Sequence, residues 1–267
     1  MGVRRLLIST NEYLANVKAL RIFDARCWLG EAPGPRLPGE PRASAAGELV
    51  RLLDRAGIER AVVFHTLAVH GDPALGNEAL MREVAGHERL VPGVVLVPDA
   101  TSPQALSVLV QRGVRLASLY PASHGFSLDA WCSGELLKAL EEYRLPVVIP
   151  HTEAPWSAIE RMCREHPALP VLIEGGQEKL LYHNRTFYAL MAQHSNLLLL
   201  LHALIGWRMV DDLVNRFGPD RLVFASHLPF QDPHAAAGML VWSDMPQDAR
   251  ERIAHRNLEA LISGVQP

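Results

Sequence analysis

Four apolar runs in this sequence end on histidine: "RAVVFHT" at His65, "LPVVIPHTE" at His151, "NLLLLLHAL" at His202 and "RLVFASHLPF" at His227. A fifth run, "VLIEGG", ends on Glu174. Imidazole serves either as a neutral metal ligand or as an acid–base group near neutral pH, and a carboxylate can join it in both roles. His151, Glu174 and His227 form a two-histidine, one-carboxylate set of the type that holds zinc, manganese or iron(II). His202, on the run between Glu174 and His227, is a candidate fourth ligand. His202, His65 and His227 are candidates to move a proton to or from a bound water. Arg26 and Trp28 in "IFDARCWLG", with Tyr120, offer a cation, a flat apolar wall and a phenol to orient a carbonyl or carboxylate substrate. Each residue also has a plainer role. His65 and His202 would bond a neighbouring carbonyl, Arg26 would pair with Asp24 or Glu174, and Trp28 would fill core. Twelve histidines in 267 residues would put fewer than one at eight arbitrary positions, so four at run ends is an excess.

For these side chains to meet, the runs carrying them must end side by side. Strands are expected at 20–25, 60–64, 93–97, 114–119, 146–150, 170–173, 197–201 and 221–225. Helices are expected near 44–56, 75–86, 103–112, 135–143, 156–165, 180–194, 207–217 and 247–263. Local punctuation supports them: "TSPQALSVLVQRG" offers Ser102 as N-cap, Pro103 at the first helical position and Gly113 after the last. Eight strands alternating with eight helices suit βαβ units and a parallel sheet, and this length suits a closed (β/α)8 barrel. A doubly wound open sheet is the alternative. It would carry a glycine-rich loop after its first strand, and none is present there. In a barrel, chemistry sits where the strands end and the βα loops begin. Parity places His227 with Ala225 and Val223, and His151 with Ile149 and Val147, so both are expected to share a face with barrel-lining residues. Residues 1–18 are expected to form an N-terminal extension packed on the barrel, and 19–267 one TIM-barrel domain. The Pro/Gly-rich stretch 30–42 would lie over the mouth.

Composition excludes several classes. The chain is 49% hydrophobic and 21% charged with a formal net charge of -3, which gives no electrostatic footprint for nucleic acid or an anionic membrane. The most apolar stretch, Leu197 to Leu201, is far too short to span a bilayer. Cys27, Cys132 and Cys163 are odd in number and widely spaced, as expected of reduced thiols in a cytoplasmic protein. The N-terminal segment makes a poor secretory signal.

Taken in order, "IFDARCWLG", "AGIERAVVF", "GNEALMREVAGHERLVPGVVLVPDA", "LPVVIPHTE", "FGPDRLVFASHLPF" and "IAHRNLEALI" resemble the amidohydrolase-related family of TIM-barrel metal-dependent hydrolases, over residues 20–262. The resemblance implies a barrel whose first strand carries Asp-x-His-x-His as metal ligands. Here that motif is Asp24-Ala25-Arg26-Cys27-Trp28. The family's histidine on strand five is kept as His151. Its histidine on strand six is replaced by Glu174, and its aspartate on strand eight by His227. Arginine stays protonated and cannot ligate a cation, which argues against an ordinary binuclear centre.

Three functional readings follow. In the first, His151, Glu174 and His227 hold one divalent ion (zinc, manganese or iron), and a metal-activated water attacks a small amide, lactone or related carbonyl compound. Decarboxylation of an aromatic acid is a further reaction that the resemblance implies. In the second there is no metal: the histidines and the carboxylate do acid–base work while Arg26 binds an anionic substrate, or Glu174 and Arg26 simply pair where the metal was. In the third, the chain is an inactive pseudoenzyme that keeps the barrel as a binding module. The expected partner is a small molecule, neither nucleic acid nor membrane, and homo-oligomerisation through helix faces is a family-level expectation.

Overall fold

A computed structural model of the protein describes residues 9–31, 45–98, 103–175, 183–202, 204 and 206–266. Residues 1–8, most of the Pro/Gly-rich stretch 30–42, the expected N-cap Ser102 and the start of the helix expected near 180–194 lie outside the described residues.

The chain begins α1 (Thr10–Ala19), β1 (Phe23–Leu29), α2 (Ala46–Ala56), β2 (Arg60–His65), α3 (Leu67–His70), α4 (Pro73–Glu83), β3 (Leu90–Leu96), α5 (Pro103–Gln111) and β4 (Leu116–Leu119). It continues α6 (Ala130–Glu142), β5 (Val147–Pro150), α7 (Trp156–Glu165), β6 (Val171–Glu174), α8 (Asn184–Gln193), β7 (Leu197–Leu200), α9 (Met209–Phe217) and β8 (Leu222–Val223). It ends with α10 (Pro233–Val241), α11 (Gln247–Glu251) and α12 (Asn257–Ser263), the last two joined by a π turn at Arg252–Arg256. All eight strands are parallel, and each pairs with the next in chain order. The fold is a single-domain (β/α)8 barrel. No helix among the described residues is long and apolar enough to cross a membrane.

Strands buried on both faces read as continuous apolar runs, and two layers of side chains divide them. Val148, Leu172, Leu198, Leu200 and Val223 fill the barrel interior. Their alternates Val147, Ile149, Val171, Ile173, Leu197 and Leu199 pack outward under the helices. The parity expected for His151 is therefore corrected: Ile149 and Val147 face the helices, and His151 lies beyond the last residue of β5. Outside the sheet, α2 buries Leu49 and Leu53 at helical spacing and stops at Gly57, whose φ of 71° suits glycine.

The seam between β8 and β1 is irregular. Only Leu222 and Val223 pair as a strand, not the whole of 221–225. Beyond them the backbone bonds elsewhere. Phe224 N–H donates to the Ile253 carbonyl of the π turn (3.0 Å), and Phe224 O accepts from Ala25 N–H (2.9 Å). Asn257 donates to the carbonyls of Pro219 and Leu222, both at 2.8 Å, and pins the start of β8. The expected helix 247–263 is thus interrupted by a π turn that supplies a carbonyl to the seam. Helix α10 was not expected, although Asp232 caps it by accepting from His234 N–H (2.9 Å) and Pro233 opens it.

One contact inside the barrel bears directly on the site. A Cβ on Gly93 would stand 2.5 Å from the Phe64 ring, so glycine in β3 is what admits that ring from β2. Gly93→Ala is expected to cost about 1–3 kcal/mol through overpacking, read as a lower urea midpoint at unchanged m-value. An alanine variant as stable as wild type would show that Phe64 has room to move.

Candidate active site

Strand β1 carries the central residue, and a register slip aims it. Pairing with β2 runs Asp24↔Ala61 and then Cys27↔Val63, which leaves an extra residue between them. Phe23 and Ala25 face the interior, Cys27 faces outward, and Trp28 faces inward again. The bulge breaks the strand's alternation, so Arg26 and Trp28 both turn inward. Asp24 holds the bulge: its carboxylate accepts from the backbone N–H of Arg26 (2.9 Å) and of Ser226 (3.0 Å), tying β1 to the chain after β8. Burial pushes the Asp24 carboxyl up to about 6, outweighing its hydrogen bonds from Ser226, Arg26 and Cys27.

Arg26 is fully buried, 0% exposed, and forms a two-pronged ion pair with Glu174 at the end of β6. Its Nε donates to Glu174 Oε1 (3.1 Å), and its Nη2 lies 2.8 Å from Oε2. Nη2 also donates to Ser118 Oγ (3.1 Å) and to Tyr120 Oη (2.5 Å). The guanidinium carbon sits 4.3 Å from the Phe64 ring centre and 4.5 Å from that of Trp28, close enough for cation–π attraction in a dry site. Nη1 is buried without a hydrogen-bond partner among the described residues. For Glu174, burial alone would raise the carboxyl. The Arg26 charge and the His227 hydrogen bond outweigh it and hold the group well below its ordinary value of 4.5. Burial likewise disfavours the Arg26 cation, but Glu174 and Tyr120 raise its pKa overall.

Two histidines complete the cluster. His227 Nδ1 lies 3.0 Å from Glu174 Oε1 and also 3.3 Å from the indole nitrogen of Trp28. One ring nitrogen cannot serve both. Glu174 is ionised and can only accept, so Nδ1 carries the proton, and the Trp28 approach is a packing contact. The backbone holds this pose: His227 has φ of 62°, a left-handed conformation uncommon outside glycine, and its N–H donates to Arg26 O (2.9 Å). Among these residues His227 alone is partly open, at 23% side-chain exposure against 2% for Glu174. His202 lies 4.7 Å from it ring to ring, and its Nε2 is 3.7 Å from Glu174 Oε1. Burial drives the His202 imidazole down to about 4, with His227 and Arg26 adding and Glu174 opposing, so it is neutral at pH 7. Neither His202 nitrogen has a hydrogen-bond partner among the described residues.

The expected residues therefore divide. Arg26, Trp28, Tyr120, Glu174, His202 and His227 converge at one end of the barrel. His65 ends β2 as anticipated, but its Nδ1 accepts Leu67 N–H (3.1 Å) and its Nε2 faces Glu83 at 3.6 Å, which commits the ring to the start of α3. His151 reaches the Glu174 main-chain oxygen through Nδ1 (3.3 Å) and lies beside the rings of His183 and Trp156. The third donor near Glu174 and His227 is thus His202, and the ligand atoms of these three lie within 4.8 Å of one another. Ser118 and Phe64 belong to the site without having been anticipated. Ser118 had a signal: it lies between Leu116 and Tyr120 on one strand face, and both of these face the interior.

The sequence pattern that describes the amidohydrolase family matches residues 23–262. The chain belongs to that family. No curated protein matches it in sequence. Among solved structures it resembles a TIM-barrel protein of Bordetella bronchiseptica, with 18% identity, a TM-score of 0.70, and coverage of 92% of this chain and 99% of that one. It also resembles the 2,6-dihydroxybenzoate decarboxylase of Rhizobium, with 15% identity, a TM-score of 0.72, and coverage of 91% and 99%. A third is a dihydroxybenzoic acid decarboxylase of Polaromonas with bound manganese and 2-nitroresorcinol, at 15% identity, a TM-score of 0.68, and coverage of 91% and 97%. At these identities the likeness is one of fold.

The manganese of the Polaromonas protein poses the question of an ion here. Spacing permits one between Glu174, His202 and His227. Charge and protons do not favour it. The single negative charge of Glu174 is already matched by Arg26 at 2.8 Å, and a guanidinium cannot deprotonate to make way. Oε1, the oxygen nearest both imidazoles, already accepts from Arg26 and His227. The residues as arranged do not fit a divalent ion, and they do fit a hydrogen-bonded centre built on an ion pair.

Acid should dissolve that centre. Because the folded Glu174 pKa is depressed, its stabilisation is complete above 4.5 and is lost as pH falls towards the folded value. Glu174→Gln strands a buried guanidinium and should destabilise the protein by about 3–5 kcal/mol at pH 7. The gap between variant and wild type, read from urea melts, should narrow below pH 4.5. A gap that stays constant down to pH 3 would show that Glu174 is not the titrating partner.

Proposed function

We propose that this protein is an enzyme that acts on a small carboxylic acid or related carbonyl compound by proton transfer through His227. The observation that carries the reading is the hydrogen bond from His227 Nδ1 to the buried Glu174 carboxylate, on a ring that is itself partly open. With the proton on Nδ1, Nε2 keeps a lone pair for a substrate or water proton, and the carboxylate stabilises the imidazolium that results. Arg26 holds Glu174 ionised, and His202, neutral and without a hydrogen-bond partner among the described residues, offers a polar edge next to the reacting ring. Trp28 and Phe230 stand 5.5 Å and 5.9 Å from the His227 ring centre and give the surroundings flat apolar walls. Such walls suit a planar substrate. The aromatic acids named for the structural neighbours, 2,6-dihydroxybenzoate among them, are therefore the first class to test.

The metal-activated water anticipated from the family resemblance is not part of this reading, because Glu174 is committed to Arg26. A pseudoenzyme is disfavoured by the arrangement itself: a partly open imidazole hydrogen-bonded to a buried, ionised carboxylate is a proton-transfer pair that a passive barrel has no use for.

Turnover of hydroxybenzoates, aryl amides and lactones should fall about 100-fold or more in kcat for His227→Asn, with KM changed only a few-fold. His65→Asn should leave kcat near wild type. An unchanged kcat in His227→Asn, or no turnover by wild type across the three classes, would overturn the proposal.

A further inference from the structure

We infer that Arg26 is a resident cation that excludes divalent metal from this barrel, and that removing its charge alone would unmask a metal site at Glu174, His202 and His227. The inference stands whatever the substrate, since it concerns only which cation Glu174 holds.

Three observations converge on it. First, the guanidinium lies where an ion bound to Glu174 would feel it most. It contacts both carboxylate oxygens, and its Nε shares Oε1 with His227. A divalent ion on that oxygen would sit within a few ångströms of a fixed positive charge in a low-dielectric interior, where repulsion is barely screened. Second, the pocket for the guanidinium is built rather than incidental. Ser118 and Tyr120 accept from Nη2, Phe64 and Trp28 flank the plane, and the β1 bulge turns the side chain inward. Third, the remaining donors form a set an ion could use. His202 is 3% exposed, with both ring nitrogens lacking a hydrogen-bond partner among the described residues, and the three ligand atoms already lie within 4.8 Å. Two imidazoles beside an unneutralised, buried carboxylate make an attractive site for zinc or manganese. The guanidinium is the element that keeps them from being one.

The test compares purified wild type with Arg26→Met, Arg26→Gln and the double variant Arg26→Met/Glu174→Gln. Each is prepared without chelator, incubated with zinc or manganese, desalted and measured by plasma mass spectrometry. Titration calorimetry and circular dichroism are run on the same samples. Wild type is expected to retain only background metal at this site. The two single variants should bind zinc at least about 100-fold more tightly and gain thermal stability when it is added. The double variant should lose both effects. One equivalent of metal in wild type, removed by Glu174→Gln, would overturn the inference even if neither Arg26 variant folds. So would a folded Arg26→Met or Arg26→Gln protein that binds zinc no better than wild type.

Discussion

The site depends on one constraint: a guanidinium and a carboxylate, both out of water, must face one another closely enough that each neutralises the other's charge. Isolated, either charge would be prohibitive in the barrel interior. Together, Arg26 and Glu174 form a neutral unit that can anchor further polar groups, and His227 hangs from it by one hydrogen bond. The pair joins the first strand to the sixth, and its hydrogen bonds to Ser118 and Tyr120 extend it to the fourth strand. Polar contacts of this kind cross the barrel where apolar packing has no directional preference.

The surrounding backbone is irregular in the places that pair requires. A bulge after Asp24 turns Arg26 inward, and Asp24 stabilises the bulge by accepting N–H groups from both sides of the seam. The eighth strand stops after two residues, which frees the chain to place His227 in a left-handed turn against the Arg26 carbonyl. The π turn at Arg252–Arg256 takes up the Phe224 N–H that the short strand leaves over. Gly93 clears the volume for the ring beneath the guanidinium. Each irregularity costs local regularity and serves one side chain's position, which is why they cluster around the same few residues.

The order of strands and the convergence at one end of the barrel were legible in the sequence because buried parallel strands are short apolar runs and their ends are marked by polar residues. Arg26, Glu174 and His227 stood out for the same reason. What could not be read was phase. Alternation through Val147 and Ile149 was taken in the wrong phase, because both face the helices while Val148 fills the interior, and His151 lies past the strand's end. A bulge cannot be seen in "IFDARCWLG", so nothing in that stretch showed which residues would share a face. His65 looked like its counterparts by pattern, yet Leu67 N–H and Glu83 claim its ring, and only three-dimensional neighbours reveal that. Helix α10 did carry a signal in Asp232-Pro233, a cap followed by a helix-opening proline.

The most direct measurement is a double-mutant cycle on the ion pair, comparing the urea stabilities of wild type, Arg26→Met, Glu174→Gln and the double variant at pH 7. If the pair is the constraint on which the site is built, each single variant strands a buried charged partner, and the double variant is more stable than the sum of the two losses. The coupling energy expected is at least about 2 kcal/mol. Losses that add to within about 0.5 kcal/mol would mean that Arg26 and Glu174 are held independently, and would contradict the account.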